Sequence, residues 1–255
     1  MTRTEAPKAG NPCWVDVTST DITATRAFYT ELFGWGAEEP DPEFGGYFNF
    51  TKDGERIAGA MAAMDPSMPS VWSIYLAVDD ADAAAAAVEA AGGTVMVPPM
   101  DVGDLGNMAV YVDPSGAVIG TWRPGTHTGF AFVAEPGAPS WFELHTKAYE
   151  DALAFYQTAF GWDTHTMSDV PEFRYTNLGE GENEAAGVMD AANFLPPEVP
   201  SHWAVYFAVD DAEATIARAV ELGATVVQPA EATPYGVLAT LADPTGAMFR
   251  LQQPS

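Results

Sequence analysis

Basic side chains are scarce in this chain: 10 lysines and arginines stand against 36 aspartates and glutamates, a formal charge of −26 over 255 residues. Such a field repels phosphate backbones and anionic headgroups, which excludes nucleic acid and membrane surfaces as expected partners. Cysteine is nearly absent. Cys13 stands alone, so no internal disulfide is available, and a solitary thiol suits a reducing compartment, here the cytoplasm. Residues 1–10 carry Arg3 and Lys8 but no apolar stretch, and no window holds the ~18 apolar residues of a membrane helix. Neither a leader nor a span is expected. What the chain does have is 47% hydrophobic and 12% aromatic residues, enough for one large core or two ordinary ones, and disorder is excluded.

The sequence is written twice. Ala27-Phe28-Tyr29 through Phe33-Gly34-Trp35 returns as Ala154-Phe155-Tyr156 through Phe160-Gly161-Trp162. Val78-Asp79-Asp80 returns as Val209-Asp210-Asp211, and Asp113-Pro114-Ser115-Gly116-Ala117 as Asp243-Pro244-Thr245-Gly246-Ala247, in one order and at nearly one spacing. The Pro- and Gly-rich stretch between the copies reads as a connection. The expected organisation is a domain at 11–124, a linker at 125–137 and a second domain at 138–255.

Each copy divides again. Trp14 to Val17 alternates as a half-buried strand does, and Asp21 caps a helix whose Ile22, Ala27, Phe28, Leu32 and Phe33 follow helical spacing until Gly34. Strands follow near 47–51 and 57–63 around a Lys52-Asp53-Gly54 turn. A second unit repeats the plan: strand 72–78, the Asp80-capped Ala-rich helix 81–91 with Gly92-Gly93 as its stop, and strands 108–112 and 117–122. The expected fold class is α+β, two tandem domains, each of two βαβββ units forming a curled mixed sheet around a cleft.

These motifs resemble the vicinal oxygen chelate superfamily of glyoxalases, bleomycin-resistance proteins and extradiol dioxygenases. Trp122-Arg123-Pro124-Gly125-Thr126-His127-Thr128-Gly129, and Glu135-Pro136-Gly137 followed by Trp141-Phe142-Glu143-Leu144, are similar to two-domain actinobacterial members, some labelled hydroxylases or accessory proteins of aromatic polyketide pathways. The resemblance implies metal ligands on the first strand of a unit and after the Asp-Pro turn. Those positions hold Trp14, Ser73 and Gly120 in the first copy, and Trp141, Ala204 and Arg250 in the second. A guanidinium repels a divalent cation, so no metal and no cofactor is expected. Gly45-Gly46 and Gly179-Glu180-Gly181 lie in turns and make no phosphate cradle. A rearranged set of His145, His165 and His202 is the metal-using alternative, with His165 read as a loop residue and His202 as lying just ahead of a strand. His127 reads as a hydrogen bonder fixing the domain junction.

Alternation puts Trp14, Asp16 and Thr18 on one strand face and Trp141, Glu143 and His145 on its counterpart. In the family that face lines the cleft. Glu143, His145 and Arg250 are therefore the candidate catalytic residues, and Trp14, Asp16, Ser73, Trp141 and Trp122 the candidate ligand-binding ones. For Glu143 three readings stand open: a carboxyl raised by burial against Trp141 and acting as proton acceptor, an ionised structural partner of Arg250, or a solvated side chain. Met61, Met64, Met68 and Met100 suit either a soft apolar lining or core filling. The expected partner is a small aromatic molecule, with the chain a monomer or homodimer. The expected function is metal-independent tailoring, or an accessory role, in natural-product metabolism. The alternatives are a non-catalytic binding or self-resistance protein, and a metal-dependent lyase or dioxygenase.

Overall fold

The computed structural model describes residues 7–255. Arg3 and most of the supposed leader-free stretch lie outside those residues. Among the described residues no helix is long and apolar enough to cross a membrane.

The first domain carries β1 Pro12–Ser19, α1 Ile22–Phe33, β2 Gly36–Ala37, β3 Phe48–Lys52, β4 Glu55–Ala62, β5 Val71–Ala77, α2 Ala81–Ala90, β6 Thr94–Val102, β7 Gly106–Val112 and β8 Val118–Pro124. The second repeats the order: β9 Pro139–Thr146, α3 Tyr149–Phe160, β10 Thr164–Val170, β11 Phe173–Leu178, β12 Ala186–Asp190, β13 His202–Ala208, α4 Ala212–Glu221, β14 Thr225–Thr233, β15 Gly236–Ala242 and β16 Met248–Gln253. Each domain makes one 8-stranded mixed sheet, ordered β2-β3-β4-β1-β5-β8-β7-β6 and β10-β11-β12-β9-β13-β16-β15-β14. Neither closes into a barrel. The tandem α+β expectation holds.

Local chemistry explains the element ends. Asp21, Asp80 and Asp211 accept from the backbone N–H three residues on and start α1, α2 and α4. The carboxylates of Asp113 and Asp243 each accept two backbone N–H groups, fixing the turns before β8 and β16.

Helices and one face of each sheet meet in a shared aromatic core. Phe33 of α1 packs against Phe207 of the other domain, and Trp72 does the same. Tyr156 of α3 donates to Asp113 Oδ2 at 3.0 Å and accepts from Trp203 Nε1 at 2.8 Å. Trp35 Nε1 donates across to the Gly137 carbonyl, and Trp162 Nε1 to that of Gly10. Trp14, Asp16, Trp141, Glu143 and His145 alternate with Val15, Val17, Phe142 and Leu144 and so share the other face of their strands.

Several expectations need correcting. Strands β6 and β14 were not anticipated: Pro98-Pro99 and Pro229 interrupt them, and both pair with register shifts that accommodate the missing donors. His165 belongs to β10, beside Asp163 at 3.4 Å, not to a loop, and His202 opens β13. Met64, Met68 and Met100 are exposed, so they do not fill the core.

Candidate functional site

Strand register builds the same frame twice. Trp14 stands opposite Tyr75, which neighbours Gly120; Asp16 stands opposite Ser73 and beside Gly59. In the second copy Trp141 stands opposite Tyr206, which neighbours Arg250; Glu143 stands opposite Ala204 and beside Gly187. Each carboxylate is buried, with Asp16 4% and Glu143 7% exposed.

Tyrosines hold both. Trp141 Nε1 donates to Tyr175 Oη at 2.9 Å, and Tyr175 donates in turn to Glu143 Oε2 at 2.6 Å. Trp14 Nε1 donates to Tyr47 Oη at 3.0 Å, and Tyr47, Tyr75 and Ser73 bond Asp16. The strand-interior glycines make room for these phenols: a Cβ on Gly187 would stand 1.9 Å from Tyr175 Oη, and one on Gly59 1.7 Å from Tyr47 Oη. Neither the tyrosines nor the glycines were singled out from the sequence; an unexplained glycine inside a strand was the available signal.

The copies diverge in charge. Glu143 also accepts from Tyr206 Oη at 2.9 Å, and its Oε1 lies 2.6 Å from His145 Nε2, a close contact with poor hydrogen-bond geometry. Arg250 Nη1 donates to Tyr206 Oη at 2.8 Å, and Nη2 lies 3.5 Å from His145 Nδ1. A guanidinium only donates, so in any bond between these two side chains Nδ1 is the acceptor. His202 stacks on His145 with centroids 5.2 Å apart, a pairing that β13 register creates and the sequence reading passed over. His165 is not part of this group.

Burial would raise both carboxyls, but the outcomes differ. At Glu143 the His145 imidazole, the Arg250 guanidinium and the Tyr175 hydroxyl override burial and hold the carboxyl down at about 2. The expectation of a proton acceptor raised by burial therefore fails for Glu143, which stays ionised. Asp16 has no cation among its neighbours, and burial pushes it up to about 6 against the hydrogen bonds of Tyr75, Tyr47 and Ser73. The raised carboxyl stands in the other copy.

Trp122 is buried, and its Nε1 donates to the His127 carbonyl at 2.8 Å. The His127 ring itself packs edge-on against Trp14 at 4.3 Å, and its buried Nε2 has no partner. The junction bond thus comes from the backbone of His127, not from its imidazole. Burial lowers that imidazole to about 4.

The resemblance implies a metal, and the donors here do not suit one. Among the described residues no three His, Cys, Asp or Glu side chains are placed to hold a metal ion. Gly120 offers no donor, and the Tyr75 ring fills the space of its side chain, 2.3 Å from where a Cβ would stand. Across the other copy, Arg250 puts a cation against the Glu143–His145 pair, and the Glu143 oxygens are already engaged. A groove of about 360 Å³ between α1, Pro136-Gly137 and α4 lies away from both carboxylates, and its Asp211 is occupied as a helix cap.

Sequence comparison agrees with this architecture. Residues 13–121 match the family model of the glyoxalase/bleomycin resistance protein/dioxygenase superfamily, and 141–252 that of a glyoxalase-like domain. The chain belongs to this superfamily, the vicinal oxygen chelate proteins. It is 42% identical to "Putative glyoxylase CFP32" of Mycobacterium bovis, over 97% of this chain and 96% of that one. It is 40% identical to the anthracycline biosynthesis protein DnrV of Streptomyces peucetius, over 94% and 92% respectively. The Mn(II)-bound glyoxalase from Novosphingobium aromaticivorans shares the fold, with a TM-score of 0.69 and 18% identity over 96% of this chain and 82% of that one.

Proposed function

We propose that this protein handles a small, planar aromatic metabolite of natural-product metabolism without a divalent ion, and that proton transfer occurs in the second domain. The observation that carries the reading is the Glu143–His145–Arg250 group, whose charges complete one another where the fold's metal donors are missing. Glu143 stays ionised and orients His145 through Nε2. The imidazole is the proton-accepting group once Arg250 turns from it to the substrate, and Arg250 stabilises the developing oxyanion. Trp141, half-buried beside them, orients the ring. The relationship to an anthracycline biosynthesis protein supports the substrate class.

A binding protein without chemistry is the second reading, favoured by His145 being only 2% exposed. Purified protein incubated with aromatic polyketide intermediates, with products resolved by chromatography, separates the two. Tailoring predicts conversion that survives dialysis against EDTA and is lost in His145→Asn, while quenching of tryptophan fluorescence by the substrate persists. Quenching without conversion by the wild type supports the binder. Activity removed by EDTA and restored by Mn(II) would refute the metal-free reading.

A further inference from the structure

Two side chains in the second domain have binding capacity that the fold does not use. Arg26, Arg56, Arg123, Arg174 and Arg218 each pair with a carboxylate. Arg250 pairs with none among the described residues: it spends one donor on Tyr206 and points another at His145. In a chain of net charge −26, a half-buried guanidinium with no carboxylate in direct contact is the exception; Glu143 is reached only through the Tyr206 hydroxyl. Likewise Trp14, Trp35, Trp72, Trp122, Trp162 and Trp203 each pack on another aromatic ring. Trp141 packs on none among the described residues and keeps part of its surface open. Register joins the two, since Trp141 and Arg250 flank Tyr206 on neighbouring strands.

The first domain has neither feature. Gly120 replaces the arginine, and Trp14 is only 4% exposed because the connecting segment sits against it. His127 stands edge-on at 4.3 Å, also faces Trp122 at 5.6 Å, and Phe130 follows at 5.7 Å. Backbone bonds from Gly125 to Leu105 and from Phe130 to Cys13 fasten the segment in place.

Resting on the aromatic-metabolite reading above, we infer that the clefts are not equivalent. The second takes a planar ligand bearing an anionic oxygen, a carboxylate, phenolate or enolate, clamped by Arg250 and laid on Trp141. The first is occupied by the chain's own connecting segment, with His127 in the place of a ligand ring. Guanidinium recognition of an oxyanion is charge-assisted and directional, so the anionic group is selected as well as attracted.

The test uses 9,10-anthraquinone-2-carboxylate and its uncharged methyl ester, titrated against the full chain at pH 7.5 by calorimetry and tryptophan fluorescence. One carboxylate binds per chain, and the ester binds at least about tenfold more weakly. Arg250→Met removes the preference, and Arg250→Lys restores part of it at an unchanged melting temperature. His127→Ala frees Trp14 and adds a second, weaker site without preference for the anion. Two sites on the wild type would overturn the self-occupied cleft. Equal binding of acid and ester by wild type and Arg250→Met would overturn the anion clamp. Failure of both compounds to bind would instead sink the aromatic reading beneath them.

Discussion

Replacing Asp16 by asparagine removes a buried negative charge while keeping the shape of a neutral acid. Folding holds the carboxyl at about 6, against 3.8 for an aspartate in water. An acid raised in this way binds more protons folded than unfolded, so its contribution falls as pH rises from the unfolded value through the folded one. That rise corresponds to roughly 3 kcal/mol against the folded wild type at pH 7.5, and about half of that at pH 5. Asp16→Asn should therefore stabilise the protein by up to about 3 kcal/mol at pH 7.5, or roughly 6–12 °C in melting temperature, with the advantage shrinking toward pH 5. Urea denaturation of both proteins at half-unit steps from pH 5 to 8 measures this. A difference independent of pH, or a variant less stable at pH 8 than at pH 5 relative to wild type, would refute the argument that burial without a cation controls this group.

Glu143 gives the opposite sign: held at about 2, it contributes stability that is complete above pH ~4.5 and lost as pH falls toward 2. Glu143→Gln breaks a buried charged group and should cost about 3–5 kcal/mol near neutrality, read by the same denaturation. Gly187→Ala drives a methyl group into the Tyr175 hydroxyl; about 1–3 kcal/mol of destabilisation and a changed near-ultraviolet dichroism of tyrosine are expected. Tyr156→Phe deletes the hydroxyl shared by Asp113 and Trp203 and should cost about 1–3 kcal/mol, with little effect on binding in the second cleft.

Much of the frame was legible because it depends on local chemistry. The duplicated Phe-Gly-Trp helix ends, the aspartate caps and the Asp-Pro-x-Gly turns are short-range devices, and each leaves a mark within a few residues. Strand alternation also put Trp14 with Asp16, and Trp141 with Glu143 and His145, on one face. What alternation could not supply was distance across strands. Tyr75, Tyr175 and Tyr206 reach the carboxylates from strands far away in sequence, and Tyr47 from the residue before β3; only the folded arrangement reveals them. The same limit hid the stacking of His202 on His145. The matching places of Arg250 and Gly120 were legible, but not the Tyr206 hydroxyl through which Arg250 reaches Glu143.

The reciprocal fastening of the repeats bears on how such a protein is inherited. Tyr156 of one repeat satisfies Asp113 of the other, and Phe33 of the first lies on Phe207 of the second. A gene severed at the connecting segment would encode two fragments, each with a raw aromatic flank and a phenol or carboxylate deprived of its mate. Selection therefore acts on the doublet, and one copy is free to lose its pocket for as long as it remains the other's buttress.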